Sequence, residues 1–115
     1  MFDLTMKAIE FSLDGLAARQ RVIAENLANV DTPGYLAGRI SFEDNLRLAL
    51  QKEGSVDSAE IASGQSLGAT RMNGNNVNVD DENVALIETG LRFQLGVEAM
   101  NSKFRILRTS IRRDT

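Results

Sequence analysis

Two long heptad stripes bracket this chain, and its middle carries none. Near the start, Phe2, Met6, Ile9, Leu13, Leu16, Gln20, Ile23, Leu27 and Val30 follow an alternating 4-3 spacing. Near the end, Leu86, Gly90, Phe93, Val97, Met100, Phe104, Leu107 and Ile111 do the same. Gln20 and Gly90 are the interruptions in otherwise apolar rows. An apolar repeat averaging about 3.5 residues marks helices that pack lengthwise against other helices.

The first stripe predicts one helix over about residues 3–29, roughly 40 Å long. Gly15 inside it costs about 1 kcal/mol against Ala, which points to close packing or local softness. The helix stops at Asp31-Thr32-Pro33-Gly34-Tyr35. Pro33 disfavours helical geometry at Thr32, and Pro33-Gly34 suits the centre of a type II turn. A shorter helix is predicted over about residues 42–52. Its apolar face is Phe42, Leu46, Ala49 and Leu50, and Ser41 with Asp44 resembles a capping box. Over residues 53–79 the periodicity fails, and Gly, Ser and the run Asn73-Gly74-Asn75-Asn76 dominate. That predicts a loop-rich or partly β arm with a turn at Asn73-Gly74. A loop this long is unusual in a compact domain.

The last helix is expected to start at an Asp80 N-cap. Asp81 and Glu82 suit the positive end of the dipole, and Val79 is placed to staple onto Val84. It runs to about residue 112, roughly 48 Å. The expected fold is mainly α. Long N- and C-terminal helices pack as a coiled-coil-like inner domain, residues 1–30 plus 80–115. A turn, a short helix and the loop-rich arm fill residues 31–79.

Both long helices carry more apolar residues than one seam uses. Leu4, Phe11, Val22 and Ala24 lie off the first stripe, and Val84, Ile87, Leu91 and Leu95 off the second. The two helices could pair antiparallel as a small monomeric bundle. A two-helix hairpin cannot bury two apolar faces per helix, so surplus surface is left for other subunits. Candidate subunit-interface residues are therefore Ile9, Leu13, Leu16, Gln20, Ile23 and Leu27, with Leu86, Gly90, Phe93, Val97, Met100, Phe104, Leu107 and Ile111. Gln20 has two readings: a polar interruption that fixes register, or a solvent-facing position. Gly90 permits close helix approach or is simply tolerated.

Composition narrows the function classes. At 115 residues the chain is one domain at most. It has no His and no Cys, which removes the Ser-His-Asp triad, thiol nucleophiles, the usual zinc sites and disulfides. A net charge of -3 argues against a general nucleic-acid binder. No run of 18 apolar residues exists to span a membrane. Asp3, Lys7, Glu10 and Asp14 scatter through the start, so no cleavable secretory signal is read there.

The candidate chemistry is thin. Asp80-Asp81-Glu82 lacks the ligand spacing of a calcium loop and reads as helix capping. Asn73-Gly74-Asn75-Asn76 lacks the Lys-Ser or Lys-Thr of a phosphate loop. Arg105, Arg108 and Arg112 share a helix face, which reads as a dipole-complementing end or a contact with an acidic neighbour rather than a DNA reader. No catalytic, metal or cofactor site is expected, and no enzyme.

The stretch Asn26-Leu27-Ala28-Asn29-Val30-Asp31-Thr32-Pro33-Gly34-Tyr35 resembles the N-terminal signature of flagellar rod, hook and related axial proteins. Its motif residues are Asn26, Ala28, Asn29, Thr32, Pro33, Gly34 and Tyr35. Upstream, Arg19-Gln20-Arg21-Val22-Ile23-Ala24 extends the match. Gly74-Asn75-Asn76-Val77-Asn78-Val79-Asp80 with Glu82, Leu91-Arg92-Phe93-Gln94 and residues 101–108 are similar to the proximal rod members in particular. Leu36-Ala37-Gly38-Arg39 and Asn78-Val79 depart from the family's commoner residues. The resemblance implies a structural protein exported by the flagellar type III apparatus without a cleaved signal. It implies a place in the periplasmic rod of the basal body, a hollow helical shaft that transmits torque. It also implies partners: copies of itself, other rod proteins, the small adaptor FliE and the membrane-ring and export-gate base. The terminal helices are then expected to order as neighbours bury them. The alternative, from another class, is a small cytoplasmic coiled-coil adaptor or export chaperone using the same stripes.

Overall fold

The structure, a computed structural model, describes residues 3–113. Phe2, the first member of the leading stripe, lies outside the described residues. Helix α1 (Leu4–Ala28) is followed by strand β1 (Gly38–Ser41), helix α2 (Glu43–Glu53), strand β2 (Ala62–Gln65) and helix α3 (Val79–Arg113). The described chain measures 67 × 28 × 14 Å.

Local chemistry sets the boundaries. The Asp3 carboxylate accepts the Met6 N–H at 2.8 Å and so caps α1. Beyond α1, the Tyr35 N–H bonds back to the Thr32 carbonyl, and Gly34 has φ +75°, as a type II turn requires. The expected capping box of α2 does not form. Ser41 is paired with Ala62 in the β ladder, and Phe42 holds the N-cap position without a side-chain cap bond. Asp44 bonds Arg47 instead. Gly54, left-handed at φ +61°, ends α2. Helix α3 starts earlier than expected. Asn78, not Asp80, caps it, its Oδ1 accepting the Asp81 N–H at 3.1 Å. Val79 thus lies inside the helix, so it is not placed as the N-terminal staple.

β1 and β2 pair antiparallel, Gly38 with Gln65 through Ser41 with Ala62. The segment read as a loop-rich arm is therefore partly β, and it is tied down at several points. Its apolar plug is Phe42, only 3% exposed. The plug fills a notch at Gly15 and meets Phe11 edge-on with ring centroids 6.1 Å apart.

The two long helices pair with each other, antiparallel. Asp3 meets Lys103 at 2.9 Å, Leu13 packs on Gly96, Gln20 faces Gly90, and Asn26 bonds Glu82. On α1 the stripe is the inner face, with Met6, Leu16 and Ile23 buried. On α3 the inner row shifts by one position at every second contact. Glu82 and Thr89 are buried, a Cβ on Gly96 would lie 2.8 Å from Leu13, and Lys103 reaches Asp3. Val97 and Phe104 stand at the seam's margin, 36% and 38% exposed, and Ile111, 54% exposed, lies beyond its end. Small residues take the close-approach positions because the helices come too near for a larger side chain. The two stripe interruptions meet: a Cβ on Gly90 would lie 3.8 Å from Gln20 Nε2.

Gly15→Ala is a sharp test of this packing. Helix propensity alone favours Ala by about 1 kcal/mol. The new Cβ would lie 2.4 Å from the Phe42 ring, which must move. Thermal melting of the variant should show a net loss of about 1–3 kcal/mol; an unchanged or raised melting temperature would contradict the plug.

Candidate functional site

A polar knot ties the end of α1 to β1, the Asn loop and the start of α3. Asn26 is its centre, with no exposed surface. Its Nδ2 donates to the Gly38 carbonyl and to Glu82 Oε2, both at 3.1 Å. Its Oδ1 accepts the Gly38 N–H at 2.8 Å and the Tyr35 hydroxyl at 3.3 Å. Every hydrogen-bonding capacity of the amide is thus used. Glu82, 1% exposed, also receives Arg39 at 2.9 Å. Burying that carboxylate is tolerable because it is paired and hydrogen-bonded. The sequence suggests a dipole-facing acid at Glu82; the fold makes it the anchor of α3.

A second lock lies beside the first. Asn75, fully buried, donates to the carbonyls of Asn29 and Thr32 at 2.8 and 2.9 Å and accepts the Val77 N–H. Asn76 accepts the Ala37 N–H and donates to the Ser66 carbonyl, filling the end of the β ladder. Arg71 bonds the carbonyls of Val77 and Val30. The Gly34 N–H donates to the Asn73 carbonyl at 2.8 Å, and a Cβ on Gly74 would come within 3.2 Å of Gly34 Cα. Gly74 has φ +84°. Both positions favour glycine for their positive φ, and Gly74 also for its close approach to Gly34.

The arm has its own clamp. Arg19 donates to Glu43 twice at 2.7 Å and to the Ile40 carbonyl at 2.9 Å, and its guanidinium sits 5.0 Å above the Phe42 ring. Arg92 of α3 reaches the same carboxylate at 3.5 Å. The Arg19 hydrogen bonds, chiefly, hold the Glu43 carboxyl down at about 2.

The motif residues divide. Asn26, Asn29, Thr32, Gly34 and Tyr35 converge in the knot, where the Thr32 hydroxyl donates to Asn29 Oδ1 at 3.0 Å. Ala28 and Pro33 are exposed. The candidate interface residues divide too. Ile9, Leu13, Leu16, Gln20, Ile23 and Leu27 line the intrachain seam, and Leu16 and Ile23 are buried in it. Gly90, Phe93, Met100 and Leu107 are partly covered on α3, and Leu86 is 37% exposed. Arg39, Glu43 and the plug Phe42 were not legible as site residues; nothing in their spacing signals a partner so distant in sequence.

The surplus apolar faces fare differently. The arm covers the middle of that of α1, with Phe42 on Phe11 and Gly38 against Val22. Leu4 and Ala24 of that face stay exposed. On α3 the surplus face is bare throughout: Val84, Ile87, Leu91 and Leu95 are 57–69% exposed. Helix α3 also projects past the described start of α1. Residues 104–113 extend about 15 Å beyond the Asp3–Lys103 pair. A shallow groove there is lined by Asn101, Phe104, Arg105, Leu107, Arg108 and Ile111. Among the described residues no acidic, His or Cys cluster is placed to hold a metal, and no helix is long and apolar enough to cross a membrane. The arrangement offers surfaces for assembly rather than groups for catalysis.

Two measurements probe the knot and the clamp. Asn26→Leu strands Glu82, Tyr35 and the Gly38 amide, and urea unfolding should show a loss of roughly 2–4 kcal/mol. Glu43, held below its ordinary 4.5, contributes stability that is fully present above about that pH and fades as pH falls toward 2. Because this pair is partly exposed, Glu43→Gln should cost no more than about 1 kcal/mol at pH 7. The gap to the parent should close near pH 2; equal gaps at both pH values would count against the clamp.

A profile of the family described as flagella basal body rod protein matches residues 13–35. That span holds the Gly15 notch, Arg19, Asn26 and the Thr32–Tyr35 turn, which are the α1 side of the plug, the clamp and the knot. The chain is 36% identical to the flagellar basal body rod protein FlgB of Bacillus subtilis (strain 168), over 95% of this chain and 94% of that protein. It is 31% identical to FlgB of Borreliella burgdorferi, over 77% and 84%. It is 28% identical to FlgB of Escherichia coli (strain K12), over 91% and 93%. With the signature residues gathered in one knot and the likeness running nearly end to end, the chain belongs to the flagellar basal body rod protein FlgB family.

Proposed function

We propose that this chain is a structural subunit of the proximal rod of the bacterial flagellar basal body. In this reading it is exported by the flagellar type III apparatus without a cleaved signal and assembles in the periplasm into the hollow helical shaft that transmits torque. Its neighbours are copies of itself, other rod proteins, the adaptor FliE and the membrane-ring and export-gate base. The terminal helices form the rod core, and residues 31–79 form an arm folded onto it. Family membership favours this over a cytoplasmic adaptor.

One observation carries the reading. After the hairpin closes and the arm packs on Phe11 and Val22 of α1, α3 still presents Val84, Ile87, Leu91 and Leu95 to solvent. Burying such half-exposed side chains is worth about 1 kcal/mol each, which a neighbouring helix in a bundle supplies. The expected ordering on assembly narrows accordingly. The knot already ties the hairpin, and the projecting end of α3 is the part left for neighbours to pack.

Leu91→Asp tests this face. Leu91 is 57% exposed, so the variant should melt like the parent within about 0.5 kcal/mol. In cells it should be exported normally, be absent from purified basal bodies and abolish swimming. Normal incorporation and motility would remove this face from the rod contact.

A further inference from the structure

The two edges of the β ribbon are finished differently. On β1, the outward N–H and C=O of Gly38 are taken by the Asn26 amide, and the outward Ile40 carbonyl is taken by Arg19. On β2 there is no such cover. The Ser66 N–H bonds the Ala37 carbonyl, which sets the ladder's alternation. Ala62 and Gly64 therefore turn their backbone groups toward β1, while Ser63 and Gln65 turn theirs outward. Among the described residues no side chain meets those outward groups, and all four β2 residues are exposed. Residues 61–70 contain no charge and no Pro, the devices that normally protect an edge. Ile61 and Leu67 at the two ends are 37% and 96% exposed.

We propose that β2 is a self-pairing edge, through which two copies of this chain join antiparallel about a two-fold axis at Gly64 into a four-stranded sheet. That register sets Ser63 opposite the partner's Gln65 in hydrogen-bonded pairs, twice over. It also sets Ile61 opposite the partner's Leu67, so both exposed apolar side chains gain cover. Glu60 falls opposite the partner's Gly68, so no like charges meet in a chain that carries -3 overall. The uncharged edge offers nothing to attract a strongly acidic or basic strand, and a second copy matches it residue by residue. Pairing of two short edges buries less than the roughly 1,200 Å² of a stable complex, so the dimer is weak and forms at high protein concentration. A two-fold contact has no place in a helical assembly whose subunits all point one way. The pairing therefore belongs to the free chain and stands or falls apart from the rod reading.

The absence of Cys makes a register test direct. Purified Ser63→Cys and Gln65→Cys chains, mixed under mild oxidation, should cross-link at least tenfold faster than either alone, because only the mixture places two thiols opposite each other. Equal rates in all three samples, or no cross-linking, would overturn the register. Ser63→Pro removes an outward N–H and leaves the ladder to β1 intact. By sedimentation at about 0.5 mM the parent should be partly dimeric, and Ser63→Pro monomeric with unchanged circular dichroism. A monomeric parent, or a dimeric Ser63→Pro, would sink the proposal. Should Ser63→Pro fail to fold, the cross-linking result decides alone.

Discussion

The fold hangs on a side-chain amide that behaves as a strand. Asn26 offers Gly38 the donor and acceptor that a neighbouring backbone would offer, so β1 docks on α1 as if on a sheet. The same amide holds Glu82, and through it the first turn of α3. An amide in a site with no exposed surface is costly unless fully satisfied. Once satisfied, it fixes position more sharply than apolar contact does. Three elements distant in sequence thereby share one anchor point, and the heptad seam follows from it. Helices started from a common anchor can meet in one register.

That register explains the mixture of residues in the seam. The α1 side supplies large apolar groups, while α3 answers with Thr89, Gly90 and Gly96 where the backbones approach. Close packing of unequal sizes leaves little room for slippage. It also leaves large α3 side chains with nowhere to go inside a single chain. The arm completes an asymmetry: it covers Phe11 and Val22 on the second face of α1, whereas Val84, Ile87, Leu91 and Leu95 on the second face of α3 stay bare. A subunit with this cross-section has one helix for holding itself together and one for holding its neighbours.

Much of this was legible in the sequence, and the limits have physical reasons. The helices, the Pro33-Gly34 turn and the Asn73-Gly74 turn follow from local chemistry, and local chemistry is what periodicity and turn residues report. The close packing at Gly15 was legible as a cost without a partner; that the partner is Phe42 depends on tertiary fit. The α3 seam was misplaced at alternate positions because apolar periodicity favours Val97 and Phe104 over Gly96 and Lys103, whereas close approach selects for smallness and a distant carboxylate selects for Lys. Asn78 and Asp80 are both good caps by residue type, so the sequence alone could not choose between them; in the fold Asn78 takes the Asp81 N–H. The signature motif was readable as a string before its purpose was. Asn26 falls inside the expected helix, but nothing in its spacing shows that it bonds outward to Gly38 and Glu82 across the fold.

The hairpin has an unusual closing loop. Residues 29–78 separate its two helices, so the helices cannot zip together from a tight bend. Closing a loop of that length costs about 3–4 kcal/mol of chain entropy before any seam contact forms, and contacts of such separation form late. The Gly34–Gly74 approach and the Asn75 bonds to Asn29 and Thr32 shorten the effective loop by pinning its base. Pairing of the helices and folding of the arm's base therefore reinforce each other. The pinned base does for this hairpin what a tight turn does for an ordinary one.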